Sequence, residues 1–340
     1  MAEKILVTGG TGYIGSHTVI ELIQQGYKPI IIDNLSNSKL ERLDQIQAIT
    51  GVRPEFEKVE MCDKAQMEAF FAKHTDIKAV IHFAALLQVG ESVEKPLLYY
   101  SNNLLSTIHL LECMKQYQIG NIVFSSSCTV YGNPEHLPVN EDAPIKPAIS
   151  PYGNTKKMCE DIIRDFSMSE KQMKSISLRY FNPIGNHPSA LIGEEPHGVP
   201  SHLVPYLTQT AKGIRSHLNI FGNDYSTPDG TCVRDYLHVV DLAKAHIAAI
   251  RRLLDVQDCP IWDYINIGTG TGYSVLQMVK AFESATGQEV PFQFAPRREG
   301  DVEAVYADTT KAKNLLKWQT ELDLEDMLRA AWAWEQKLAH

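Results

Sequence analysis

Short apolar runs alternate with amphipathic stretches along the first half of the chain. Lys4–Val7, Pro29–Ile32, Phe56–Val59, Ala79–Phe83, Asn121–Ser125 and Ser175–Leu178 are compact and largely apolar, and they predict strands. Gln66–Lys73, Pro96–Tyr117 and Tyr152–Ser167 carry apolar residues at helical spacing and predict helices between them. This alternation predicts an α/β fold with a doubly wound parallel sheet. Such sheets bind ligands at the loops on the carboxyl ends of their strands. The texture changes after Asn182. Residues 183–235 hold many Gly, Pro and His and few long periodic segments. Beyond them Tyr236–Arg252 reads as a helix, Tyr264–Gly268 as a short strand, and 274–285 and 323–337 as helices. The expected division is a first domain over 1–182 and a smaller mixed α/β substrate domain over 183–340, with 236–265 a candidate to return to the first.

One turn in this pattern narrows the ligand. The first strand runs into Thr8-Gly9-Gly10-Thr11-Gly12-Tyr13-Ile14-Gly15, and a helical pattern opens at Ser16. Strand, glycine turn and helix together make a dinucleotide fingerprint of the Rossmann type. Gly9 permits the tight turn, Gly12 lets a pyrophosphate approach the backbone, and Gly15 lets the helix pack on the strand. The helix N-terminus then offers unpaired N–H groups to the phosphates. Asp33 ends the second strand at about the twenty-residue distance that the fingerprint requires. A carboxylate there accepts hydrogen bonds from the ribose hydroxyls and repels a 2′-phosphate, which favours NAD over NADP.

Composition restricts the alternatives. A length of 340 residues allows about two domains, and 44% hydrophobic residues suffice for a substantial core. A net charge of −9 without a basic run argues against a nucleic-acid surface. No apolar run reaches membrane-spanning length, and the first strand begins too early to leave room for a signal peptide. The six cysteines are scattered without a C-x-x-C pair, which predicts reduced thiols, a cytoplasmic setting and no metal site.

The chemistry gathers in two later stretches. The strand Ile122-Val123-Phe124 ends in Ser125-Ser126-Ser127, and Tyr152-Gly153-Asn154-Thr155-Lys156 follows. On a helix, Tyr152 and Lys156 lie one turn apart on the same face. An ammonium beside a phenol favours the phenolate, so the tyrosine can act as a base, with a strand-end serine to relay or steady the proton. Hydride chemistry on a sugar alcohol needs such a base while C–H leaves to the cofactor.

These stretches, in this order, resemble the extended short-chain dehydrogenase/reductases, and among them the UDP-glucose (UDP-galactose) 4-epimerases. The resemblance runs from Val7 to the region of Asp308. Beyond the glycine turn it includes Asp33-Asn34-Leu35-Ser36-Asn37-Ser38, His82-Phe83-Ala84-Ala85, Val89-Gly90-Glu91-Ser92 and Arg179-Tyr180-Phe181-Asn182-Pro183. It continues in Ile220-Phe221-Gly222-Asn223-Asp224-Tyr225, Val233-Arg234-Asp235-Tyr236 and Arg297-Arg298-Glu299-Gly300-Asp301. The resemblance implies tightly held NAD, a homodimer and inversion of C4 in UDP-hexoses. It implies Ser127, Tyr152 and Lys156 as the catalytic trio. Gly9, Gly12, Tyr13, Ile14, Gly15, Asp33, Asn34, Asn37, Ser38, Asp63, Phe83, Ala84, Asn102, Ser125 and Tyr180 match cofactor contacts, to which Tyr152 and Lys156 also belong. Asn182, His202, Leu203, Phe221, Arg234, Tyr236, Arg298, Asp301 and Val305 match the nucleotide-sugar site. Two arginines suit a diphosphate, and Phe221 with Leu203 can enclose a uracil. Taken alone, Leu203 reads more readily as a core residue, Phe221 reads equally as a strand-end core aromatic, and Arg234 beside Asp235 as a surface pair.

Three positions depart from the family's pattern. Leu87 stands where a lysine is frequent, His202 where an amide is, and Val305 where a tyrosine is. Valine leaves room for an N-acetyl group at the sugar's 2-position, so turnover of UDP-N-acetylglucosamine and UDP-N-acetylgalactosamine is expected too, unless Leu87 or His202 fills the space. Two other functions fit the same fold. A sugar-nucleotide 4,6-dehydratase needs an acidic pair after the serine strand, where this chain has Cys128 and Thr129. A non-catalytic NAD sensor would have no use for Tyr152 and Lys156 together.

Overall fold

Strands that read as unbroken apolar runs must be covered on both faces, as in a parallel sheet layered with helices. The computed structural model describes residues 2–196, 198–256, 259–298 and 301–338. Its first half alternates β1 (Lys4–Thr8), α1 (Tyr13–Gln24), β2 (Lys28–Asp33), α2 (Arg42–Thr50), β3 (Glu55–Lys58) and α3 (Lys64–Lys73). There follow β4 (Ile77–His82), α4 (Val89–Glu94), α5 (Pro96–Gln116), β5 (Asn121–Ser125), α6 (Pro151–Ser169) and β6 (Lys174–Tyr180). Ile5, Leu6 and Val7 of β1 and Ile122 and Val123 of β5 are fully enclosed.

The later chain holds β7 (Asn182–Ile184), α7 (Leu203–Ala211), β8 (Leu218–Phe221), β9 (Val233–His238), α8 (Val239–Asp255) and β10 (Trp262–Ile267). It ends with β11 (Gly272–Ser274), α9 (Val275–Thr286), β12 (Phe292–Ala295), β13 (Ala304–Val305) and α10 (Leu324–Lys337). The large sheet has seven parallel strands in the order β10-β6-β5-β4-β1-β2-β3. From β1 the chain winds outward through β2 and β3, then crosses to β4 and winds the other way. The reversal between β1 and β4 opens a crevice at the carboxyl ends of these strands, the place where open α/β sheets take ligands. No helix among the described residues is long and apolar enough to cross a membrane.

The stretch expected as one helix over Tyr236–Arg252 divides. Tyr236, Leu237 and His238 belong to β9, and α8 starts at Val239 with the His238 side chain accepting from Val240 N–H at 3.1 Å. The run is apolar on both sides of the boundary, so periodicity alone does not locate it. β9 is the centre of the smaller sheet, flanked by β11 and β13 and paired with β7. Beneath it Ile184, Val204, Leu207, Met278, Phe282, Met327 and Leu328 form a separate core. α8 packs against α1, and β10 adds to β6, so the chain re-enters the large sheet after building part of the smaller one.

Candidate active site

The glycine turn is built for close approach. Gly9 has φ +68°, and a Cβ there would lie 2.8 Å from Ala84 N at the end of β4. A Cβ on Gly15 would stand 2.3 Å from Gly9 O, so only glycine lets α1 start this near the turn. Gly12 is the N-cap of α1 without a side-chain cap, and the first turn, which includes Tyr13 and Ile14, carries no acid. Its orphan N–H groups therefore favour an anion. Asp33 lies beside the turn. Its carboxylate accepts from Thr11 N–H at 3.3 Å, Leu35 N–H at 2.9 Å and Ser38 Oγ–H at 3.1 Å. These residues fit a dinucleotide with free ribose hydroxyls, which is NAD.

Several of the other expected cofactor residues have defined partners. Ser38 Oγ is 2.7 Å from Thr11 Oγ1, Asn34 donates to Glu60 at 2.8 Å, and Asn37 is exposed on the same loop. Phe83 and Ala84 follow β4 opposite Gly9. Tyr13 Oη donates to Gly185 O at 2.6 Å and so ties α1 to the later chain. Asn102 donates to Asn103 Oδ1 at 2.9 Å. Asp63 caps α3, accepting from Ala65 N–H at 3.0 Å and Gln66 N–H at 3.2 Å.

α6 begins beside the crevice because Ser150 caps it and Pro151 occupies its first turn. That start puts Tyr152 and Lys156 on one buried face, 8% and 3% exposed. Lys156 Nζ donates to Ser125 O at 2.7 Å and lies 5.9 Å from the Tyr152 ring centre. The Ser127 hydroxyl is the polar neighbour that eases the Tyr152 phenol downward. Ser127 Oγ in turn accepts from Thr129 Oγ1–H at 2.9 Å and Thr129 N–H at 3.2 Å. Ser125 Oγ meets Tyr180 Oη at 2.6 Å. The electrostatics differ from the simple expectation of a phenol eased by its neighbouring ammonium. Burial pushes Tyr152 above the ordinary phenol range, and the Ser127 hydroxyl works against it. Burial also lowers the Lys156 ammonium to about 8. In this enclosed pocket desolvation outweighs the lysine.

The expected substrate residues converge around β9. Asn182 opens β7 in register with Tyr236 of β9, and Arg234 of β9 faces Val305 of β13. Asp301 joins both arginines: Arg298 Nη2 donates to it at 2.9 Å, and Arg234 lies 3.6 Å away. The Arg298 guanidinium sits 5.5 Å from the centre of the Phe221 ring, which is 40% exposed. Residues 299 and 300 of this motif lie outside the described residues. Leu203 starts α7 against the smaller core. His202 pairs with Glu194 at 2.6 Å, and that carboxylate raises the imidazole above its usual value. Leu87 is exposed and Val305 is buried.

The model of the GDP-mannose 4,6 dehydratase family matches residues 6–331. A UDP-glucose 4-epimerase of Bos taurus is 52% identical over 99% of this chain and 97% of its own length. The chain belongs to the UDP-glucose 4-epimerases. Two solved epimerases share the fold with a TM-score of 0.94 and 46% identity, each over 98% of both chains. One is from Bifidobacterium longum in complex with NAD⁺ and UDP. The other is from Stenotrophomonas maltophila with bound NAD and formylated UDP-arabinopyranose. Membership of this epimerase family agrees with Cys128 and Thr129 after the serine strand, where a dehydratase needs acids, and makes the chain an isomerase that uses NAD.

Two buried polar residues that fix the backbone around these candidate residues escaped the sequence reading. Asp235 is no surface partner of Arg234. It is fully buried and accepts from Thr269 N–H at 2.8 Å, Thr269 Oγ1–H at 2.7 Å, Gly270 N–H at 3.0 Å and Ala307 N–H at 3.1 Å. It thereby ties β9 to the loop after β10 and to the end of β13, which frames Arg234 and Val305. Asn103 is also buried, clasping Leu86 N–H at 2.8 Å and Thr155 Oγ1 at 3.0 Å. Its signal in the sequence is only a second amide beside Asn102.

Proposed function

We propose that this chain interconverts UDP-galactose and UDP-glucose by inverting C4 through a transient 4-keto sugar. The observation that carries this is the buried Ser127–Tyr152–Lys156 face beside a glycine turn, with Arg234 and Arg298 converging nearby on Asp301. Bound NAD supplies a reversible hydride acceptor and a positively charged ring in the crevice. Tyr152 takes the proton of the sugar's 4-hydroxyl and returns it after the sugar has turned. Ser127 steadies the phenol through its hydroxyl, and Thr129 fixes the Ser127 hydroxyl from the other side. Lys156 holds the strand end through Ser125 O and keeps a positive charge near the phenol. Arg234 and Arg298 hold the diphosphate while the hexose presents its opposite face, with Phe221 and Leu203 about the uracil. Incubation of purified protein with UDP-galactose and no added NAD is expected to yield UDP-glucose; an unchanged sugar from protein carrying NAD would reject the reading.

A homodimer completes this proposal. Leu110 and Leu111 of α5 point into the core, whereas Leu97, Leu98 and Leu105 are 82%, 48% and 39% exposed. A helix apolar on a second side is normally covered there, and a second copy placing its own α5 and α6 against this face would do so. Light scattering at micromolar concentration is expected to give twice the chain mass, and a monomer mass would defeat the assignment. All six cysteines are unpaired, which suits a cytoplasmic setting.

A further inference from the structure

The functional face of α6 continues past Lys156. Glu160 stands one turn further, so Tyr152, Lys156 and Glu160 recur at intervals of four along one helix. Its side chain is 10% exposed, and that of its partner Arg179 on β6 is 4% exposed. The two form a fork. Oε1 accepts from Arg179 Nε at 2.9 Å, and Oε2 accepts from Nη2 at 2.6 Å. Arg179 is held on every other side. Nη1 donates to Tyr131 Oη at 3.1 Å, and its guanidinium lies 4.9 Å from the Tyr131 ring and 3.9 Å from the Tyr264 ring. Tyr131 Oη donates onward to Asn266 Oδ1 of β10 at 2.7 Å.

The remaining capacity of Glu160 goes to the serine strand. Ser126 Oγ donates to Oε1 at 2.6 Å. Ser126 stands between Ser125, whose carbonyl takes the Lys156 ammonium, and Ser127, the polar neighbour of the Tyr152 phenol. Fixing Ser126 therefore fixes both contacts at once. A buried ion pair is an expensive way to gain stability alone, since well-packed apolar residues often serve as well. Here the pair sits where the helix bearing the base meets the strand bearing its partner.

We propose that Glu160 is a positioning residue for the reaction, holding the serine strand through Ser126 in register with Tyr152 and Lys156 of its own helix. Its charge has a second effect. The titratable groups facing Lys156 are Tyr152, Cys159 and Glu160 on α6 and His82 on β4. Burial keeps His82 neutral and works against a Cys159 thiolate, so Glu160 is the fixed negative charge that opposes the desolvation of Lys156.

The proposal rests on the epimerase reading, and wild-type turnover of UDP-galactose tests that reading separately. In the holoenzyme, Ser126→Ala keeps the ion pair and removes only the tether. Small misplacements of reacting groups are costly, so kcat is expected to fall by about tenfold with KM within about twofold and melting temperature nearly unchanged. Glu160→Gln can still accept from Ser126 but removes the charge, so the alkaline limb of the kcat profile is expected at lower pH. An active wild type whose Ser126→Ala variant keeps its kcat overturns the proposal. So does a Glu160→Gln variant that folds with an unmoved profile. Should Glu160→Gln fail to fold, Ser126→Ala alone decides.

Discussion

Tyr152→Phe is expected to lower turnover of UDP-galactose by about a hundredfold or more, the usual worth of a positioned acid/base, with little change in KM. The substitution deletes one oxygen from a side chain that is 8% exposed, so packing is largely kept. Ser127 still accepts from Thr129 N–H and Thr129 Oγ1–H, and its own O–H is the one donor left to find a new acceptor, a cost to stability that does not touch substrate binding. Lys156 keeps its bond to Ser125 O. The change therefore removes proton exchange and little else, and the loss falls on kcat. Steady-state kinetics check this, and a variant within tenfold of wild type would remove Tyr152 as the base.

The second large effect concerns the 2-position of the sugar. We expect wild-type protein to interconvert UDP-N-acetylglucosamine and UDP-N-acetylgalactosamine as well as the plain hexoses. Val305 faces Arg234 across the β9–β13 pair and is 5% exposed. A tyrosine at this point cannot be housed in the packed strand, and on the proposed site its ring would enter the space beside the sugar. Filling space in packed protein costs about 1–3 kcal/mol, which converts to roughly five- to 150-fold in rate for a substrate that needs that space. Val305→Tyr is therefore expected to suppress the acetylated substrates while sparing UDP-galactose. Separation of sugar products at millimolar substrate tests both halves. Absence of N-acetylated turnover in wild type, or equal loss of both substrate classes in the variant, would remove Val305 as the determinant.

Much of this was legible because the decisive signals are local. The turn Gly9–Gly15 lies within one strand–helix unit, Asp33 ends the next strand, and Tyr152 and Lys156 share one helical turn. Features that depend on distant backbone were not legible. Asp235 reads as a solvated acid until Thr269, Gly270 and Ala307 bring their N–H groups to it. The strand character of Tyr236–His238 comes from pairing with β7, while the sequence there continues smoothly into helical spacing. β10 pairs with β6, Trp262 opposite Ser175, and nothing local announces that neighbour. The role of Glu160 was hidden because an acid on a helix normally faces water, and only Arg179 on β6 makes burial tolerable.

The return of the chain to the large sheet limits what inheritance can do with this molecule. A break at residue 182 would strip the sheet of its edge strand β10 and of α8, leaving Ile176 and Leu178 of β6 and the apolar face of α1 uncovered. The cofactor half is thus not a cassette that recombination can lift out and attach to another sugar-binding half. Segments exchanged inside the excursions between β6 and β9 and beyond β10, where Phe221, Arg298 and Val305 reside, leave that covering in place. Point changes and loop replacement there leave the cofactor core in one piece.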